Sequence, residues 1–310
     1  MKNQLTMGLI VALLMPIVSY AQVVREAVIA AEATFAAQAT QLGTSAAFLA
    51  NGAPAGFIIE DGRLASVQEV WRVRPNRAGS RLTWHPVLAD AAQSGDLGYT
   101  TGPWTTFQND RPQASGEYVT VWRKQPDGKW KFVVDMGVER IGTAPPKATN
   151  VPQPRLPAAV ATPSTAPSDL VINVDRKFAA AELLKPGASY QQYLSAEARL
   201  LRPGLSTMYG AAAAANMKNL ESGYVFVATG GYLAAAGDLG YVVGTLHRNG
   251  AGASRPAENG SYLRIWRREA VAGWRVVLEI FNFTPNPAAA AAPATEGMNS
   301  LNQVSNRRTQ

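Results

Sequence analysis

The chain has no cysteine and only two histidines, His85 and His247, in 310 residues. Missing thiols exclude a disulfide framework, cysteine-ligated zinc, iron–sulfur clusters, a thiol nucleophile and a lipid anchor on an N-terminal cysteine. Two imidazoles are too few for a multi-histidine centre, so neither a metal nor a cofactor is expected. Charge is sparse too, at 16% of residues against 47% hydrophobic. A sizeable core can therefore form, and wholesale disorder is excluded. There is no Gly-x-Ser-x-Gly elbow, no His-Glu-x-x-His helix and no calcium-loop pattern. Gly250-Ala251-Gly252-Ala253-Ser254 is glycine-rich but lacks the lysine and the strand–helix setting of a phosphate loop. Lys and Arg number 29 against 22 Asp and Glu, but they are scattered. The densest group, Arg72, Arg74, Arg77 and Arg81, reads as a solvated basic face, and no nucleic-acid partner is expected.

Long apolar runs are confined to one place. Basic Met1-Lys2-Asn3-Gln4 precedes the apolar run Leu5 to Val18, and Ser19-Tyr20-Ala21 supplies small residues before Gln22. Residues 1–21 are expected to be a secretory signal peptide. The run is shorter than the roughly 20 residues that span a bilayer, and it carries Pro16. The expectation is an exported, soluble protein of the periplasm or extracellular space, with no integral membrane segment after cleavage.

A repeat organises the remainder. Gly95-Asp96-Leu97-Gly98-Tyr99 returns as Gly237-Asp238-Leu239-Gly240-Tyr241. Gly116-Glu117-Tyr118-Val119-Thr120-Val121-Trp122-Arg123 returns as Gly260-Ser261-Tyr262-Leu263-Arg264-Ile265-Trp266-Arg267, and Trp130 to Asp135 returns as Trp274 to Glu279. Three blocks recur in one order at a period of about 143 residues, a whole domain rather than a solenoid unit. The division expected is a first domain over 22–140, a Pro-rich linker over 141–167, a second domain over 168–283 and a disordered tail over 284–310.

Each copy reads as helices, then strands. Val24, Val28, Ala31 and Phe35 fall at helical spacing up to Gly43, a short helix follows from Thr44, and Ser66 to Arg74 reads as a third. In the second copy Asp169 opens a helix to Leu184, and Ser206 to Asn219 is another. Asn51 to Phe57 reads as an insertion in the first copy. Strands are expected at Arg81 to Ala91, Leu97 to Phe107, Glu117 to Lys124 and Trp130 to Met136, with Pro126-Asp127-Gly128-Lys129 as a hairpin turn. This is an α+β layout. Along Glu117 to Lys124, Val119 and Val121 share one face, and Tyr118, Thr120 and Trp122 the other; Leu263/Ile265 and Tyr262/Arg264/Trp266 are their repeat mates. Both faces carry large apolar groups, so one should meet the helices and the other a second layer. The cheapest second layer is the other copy, giving an intrachain pseudo-dimer.

These blocks (Gly-Asp-Leu-Gly-Tyr, then Gly-x-Tyr-x-x-x-Trp-Arg, then Trp and a strand ending in Asp or Glu) resemble the nuclear transport factor 2-like superfamily, more narrowly its bacterial SnoaL-like, unknown-function branch. The resemblance covers roughly residues 24–139 and 169–283, twice in one order. It implies two tandem cone-shaped domains, each a strongly curved, mainly antiparallel sheet wrapped on about three N-terminal helices around an internal pocket. The superfamily holds isomerases, cyclases, dehydratases, ligand binders and interaction modules, so it does not fix function.

Candidate chemistry is thin. Asp96 and Asp238 sit in Gly-Asp turns, where Asp bonds nearby backbone. Asp135 and Glu279 close their strands on one parity and could look into a pocket mouth or into solvent, or pair with a neighbouring Arg. His85 could act as a base near neutral pH. These three, Asp135, His85 and Glu279, are the catalytic candidates. Trp84, Tyr99, Trp104, Tyr118, Trp122, Phe226, Tyr241, Tyr262 and Trp266 are the candidates for ligand contact, or else for core packing. Three functions follow: binding of a small apolar or aromatic molecule without catalysis, a cofactor-independent isomerase, cyclase or dehydratase, or a protein-interaction scaffold.

Overall fold

The computed structural model describes residues 20–140, 168–220, 223–250 and 257–285. Most of the expected leader, the Pro-rich connection and the tail beyond residue 285 lie outside the described residues.

The first half opens with helices α1 (Tyr20–Leu42) and α2 (Thr44–Asn51), then strands β1 (Gly52–Glu60) and β2 (Arg63–Ser66) and helix α3 (Val67–Val73). Strands β3 (Ser80–Trp84), β4 (Leu88–Ala91), β5 (Leu97–Gln108), β6 (Arg111–Lys124) and β7 (Trp130–Glu139) follow. The buried stripe of α1 is Val24, Val28, Glu32, Phe35 and Ala39, a helical period that holds one carboxyl. Gly43, at φ +91°, separates α1 from α2 in a conformation that disfavours any side chain. Ser66 caps α3, its hydroxyl accepting from Glu69 N at 3.4 Å.

The second half repeats this order: α4 (Asp169–Leu184), α5 (Ala188–Tyr193), β8 (Leu194–Leu201), β9 (Met208–Tyr209), α6 (Gly210–Leu220), β10 (Val225–Leu233), β11 (Leu239–Arg248), β12 (Glu258–Glu269) and β13 (Gly273–Phe283). The sheets run β2-β1-β7-β6-β5-β3, with β4 also on β5, and β10-β11-β12-β13-β8-β9. Each is mainly antiparallel, with one parallel pair, β1 on β7 and β8 on β13. No helix among the described residues is long and apolar enough to cross a membrane.

Two expectations need correction. Asn51 to Phe57 is not an insertion: from Gly52 on it forms most of β1, the counterpart of β8, and both pair with the last strand of their half. Gly52-Ala53-Pro54-Ala55-Gly56 carries none of the β-branched alternation that marks a strand, and its partner is distant in sequence. The strand expected over Arg81 to Ala91 is two strands broken at His85-Pro86-Val87, because Pro86 has no N–H to give the ladder. In the second half β10 runs through with a bulge between Ala228 and Gly230 instead.

The two faces of each sheet have different partners. Val119, Val121, Val134 and Met136 join Leu263, Ile265, Leu278 and Ile280 in one buried cluster that draws on both halves. Trp122 and Phe132 face the first half's helices, as Tyr262 and Trp266 face the second's. Polar contacts rim the apolar contact between halves. Asp238 accepts from Gln93 N at 2.9 Å and Asp96 from Ala235 N at 3.2 Å. Arg267 donates to Asp90 at 3.0 Å, and its mate Arg123 lies 3.9 Å over the Tyr232 ring. The Gly-Asp turns are made by Gly95 and Gly237 at positive φ, which leaves the two Asp carboxyls free to reach across.

Candidate functional site

The first half holds a half-open cavity of about 710 Å³. Its wall includes Phe35 from α1, Phe48 from α2, Ile58 and Ile59 from β1, Trp71 from α3, Trp84 from β3, Trp104 from β5, Tyr118 from β6 and Asp135 from β7. The rings interlock, with Phe35 edge-on to Trp84 at 4.7 Å and Phe48 stacked on Trp71 at 4.2 Å. Trp104 lies over Gly116, where a Cβ would fall 2.7 Å from its ring, and donates Nε1–H to Glu117 O at 3.1 Å. At the rim Arg74 grips Glu60 in a two-pronged ion pair of 3.0 and 2.6 Å, beside Arg77 and Arg81. Asn282, from the second half, also lines the cavity; it accepts from Gly62 N at 2.6 Å and donates to Gly137 O at 2.9 Å.

Two carboxyls set the electrostatics. Asp135 faces the cavity and accepts from the Thr120 hydroxyl at 2.8 Å through Oδ2, while Oδ1 has no hydrogen bond among the described residues. Burial, with Glu32 nearby, pushes its pKa up to about 7. Glu32 is fully buried behind the wall; it accepts from Trp84 Nε1 at 2.5 Å, from Trp122 Nε1 at 2.9 Å and from the Thr100 hydroxyl. Burial raises its pKa too, against those three donors. The Tyr118 hydroxyl is buried without a hydrogen-bond partner and pushed up by burial and by both carboxyls. No cation pairs with either acid among the described residues.

The second half has the same parts in another state. Asp175 and Glu279 are the mates of Glu32 and Asp135, and Trp266 Nε1 donates to Asp175 at 3.1 Å as Trp122 does to Glu32. Thr120, however, is replaced by Arg264. Its guanidinium is fully buried, donates to Asp175 at 3.1 Å and to Glu279, and fills the space between the helices and the sheet. Arg202 and Tyr190 also bond Glu279. Burial alone would raise Glu279, but Arg264 and Arg202 hold it below its ordinary value.

Of the residues singled out in the sequence, Trp84, Trp104, Tyr118 and Asp135 meet in one cavity, with Trp122 just behind through Glu32. His85 is exposed and is not among the cavity-lining residues; nothing holds an imidazole inward at the break between β3 and β4. Tyr99 and Tyr241 lie in or against the core between the halves. Phe226, Tyr262, Trp266 and Glu279 are buried in the second half's interior. Sequence reasoning missed Glu32, although it shares the register of Val28 and Phe35, and Asp175 shares that of Val171 and Phe178. An acid recurring on an apolar helical stripe was the available signal.

No protein-family model matches the chain, and no curated protein matches it. Solved structures are similar to it. They include an NTF2-like protein from Cytophaga hutchinsonii, 15% identical over 37% of this chain and 95% of that one, TM-score 0.30. A putative ketosteroid isomerase from Parabacteroides distasonis is 11% identical over 41% and 94%, TM-score 0.32. ActVI-ORFA from Streptomyces coelicolor is 13% identical over 37% and 95%, TM-score 0.30. Each spans a stretch about as long as one half. The architecture itself, a mainly antiparallel sheet with helices that precede it, twice over, makes this a tandem α+β protein, the layout expected from the repeat.

Proposed function

We propose that the protein binds one small, largely aromatic or apolar molecule in the cavity of its first half, with Asp135 holding the molecule's polar end. One observation carries this: a carboxyl with a free oxygen stands in the wall of an aromatic cavity of about 710 Å³. The second half serves as the first half's built-in partner, and Pro-rich 141–167 joins the two. Isothermal titration of the full chain with 2-naphthol and 2-tetralone tests the reading. One site per chain, weakened about tenfold or more by Trp104→Ala, supports it. Binding of neither probe, at either half, counts against it.

A second reading is favoured by the Asp135 pKa of about 7 beside the unpartnered Tyr118 hydroxyl. In this reading the cavity catalyses isomerase- or dehydratase-type proton transfer. Asp135 takes a proton from the carbon next to a carbonyl, and Tyr118 donates a hydrogen bond to the enolate oxygen that forms. Deuterium exchange into 2-tetralone, lost in Asp135→Asn, is the measurement. Saturable binding with no exchange leaves a binding protein only.

Residues 1–21 support export, followed by a mature chain starting at Gln22. Intact mass of the protein recovered from outside the cytoplasm tests this. A mass that retains the leader overturns it.

A further inference from the structure

Arg264 is a charged side chain in the middle of an apolar half. It sits on β12 at the repeat position of Thr120, fully buried. Its guanidinium carbon lies 4.0 Å from the Phe178 ring centre, 4.2 Å from that of Phe226 and 4.4 Å from that of Tyr262. Its nitrogens bridge Asp175 and Glu279. Three rings and two carboxyls thus close on one flat cation, which rings hold by their faces and carboxyls by paired hydrogen bonds.

The first half builds the same cage from the repeat mates. Phe35, Trp84 and Tyr118 stand for the three rings, and Glu32 and Asp135 for the two carboxyls. Phe35, Trp84, Tyr118 and Asp135 all line the cavity. What is missing is the cation. Thr120 is too short to enter, and Arg202 is replaced by Glu60, which is turned to Arg74 at the rim. The groups acting on Asp135 are Thr120 and Tyr118 from β6 and Glu32 from α1, none of them positive; the cavity's arginines stand at its rim, Arg74 on Glu60 and Arg81 on Asp110, with Arg77 beside them. Tyr262 spends its hydroxyl on Asp175 at 2.6 Å, whereas the Tyr118 hydroxyl is unspent.

We infer that the first-half cavity receives the flat cationic group of a ligand, a guanidinium or amidinium, in the place that the Arg264 guanidinium takes in the second half, with Asp135 as its counter-ion. This rests on the small-molecule reading of the same cavity and names the polar end of that molecule. Glu32, already bonded by three donors, acts as a second negative charge behind the wall once the cation is bound. Binding takes a carboxylate rather than a carboxylic acid at Asp135, so affinity rises with pH through about 7.

The test compares phenylguanidinium with neutral phenylurea, a flat analogue of the same outline, by titration of the full chain at pH 8. The expected result is one phenylguanidinium per chain, bound about tenfold or more tighter than phenylurea, with the preference lost in Asp135→Asn. Thr120→Arg transplants the second half's own plug; it should abolish binding of both probes and raise the melting temperature. Equal affinity for the two probes, or cation binding that survives Thr120→Arg, overturns the inference. If phenylurea binds and phenylguanidinium does not, the cation fails while the small-molecule reading stands. If neither binds, both fail.

Discussion

Asp96 and Asp238, one turn in each copy of the repeat, hold each other's neighbourhoods. Asp96 accepts from the backbone of Ala235, and Asp238 from that of Gln93, which is Ala235's own repeat mate. Residue i of one half touches j of the other, and j's counterpart touches i's counterpart. That is the signature of a two-fold interface, written here within one chain. The neighbouring pair departs from symmetry in chemistry but not in place. Arg267 meets a carboxylate at Asp90, and Arg123 meets an aromatic face at Tyr232.

This reciprocity predicts matched costs. Asp96→Ala and Asp238→Ala should each lower stability by about 1–2 kcal/mol, by leaving a backbone N–H without its acceptor. Urea unfolding of both variants and of the double variant measures it. A negligible change in both would mean that water replaces the clasp.

Arg264 and Thr120 occupy one repeat position and should respond unequally. Arg264→Ala leaves Asp175 and Glu279 buried without their shared cation, at a cost of about 3–5 kcal/mol. Thr120→Ala removes one hydroxyl bond beside a cavity and should cost about 1 kcal/mol. Chemical denaturation of the two variants decides it.

Asp135 makes stability depend on pH in the direction opposite to a salt-bridged acid. Its folded pKa of about 7 lies above the unfolded value of 3.8. Between those values the native state binds more protons than the unfolded state, so stability falls as pH rises from about 4 to about 7 and levels off above that. Glu32, also raised, acts in the same sense. Asp135→Asn should therefore stabilise the protein at pH 8 by roughly 1–2 kcal/mol, well short of a full-burial value because water in the cavity screens the charge. Melting curves at pH 4 and pH 8 give the comparison; the gain should shrink as pH falls below about 7 and vanish only toward pH 4.

Gly116 and Trp104 make a packing prediction. Gly116→Ala drives a methyl into the Trp104 ring and within 1.9 Å of Val138 O. A loss of about 2 kcal/mol and a shift in Trp emission are expected, with weaker ligand binding if the ring turns into the cavity.

Much of this was legible in the residues. Exact recurrence of the Gly-Asp-Leu-Gly-Tyr and Tyr-x-x-x-Trp-Arg blocks revealed two copies, and strand parity separated Val119 and Val121 from Tyr118 and Trp122. Parity left Asp135 open between a pocket mouth, solvent and an arginine partner. β1 and β8 were harder, since a parallel partner comes from the far end of each domain and leaves no local pattern. Arg264 alternates in step with Tyr262 and Trp266, so its inward direction was readable; its role was not. Whether an inward arginine plugs a site or opens onto solvent depends on the two carboxyls it meets, and one of those comes from a helix far upstream.

Asn282 ties these threads together. It belongs to the second half, yet it lines the first half's cavity and is bonded to Gly62 and Gly137 on that side. The doorway of the cavity is therefore framed by both halves. Any force that pries them apart changes the threshold a visiting molecule must cross, and a well-fitting visitor in turn braces the seam.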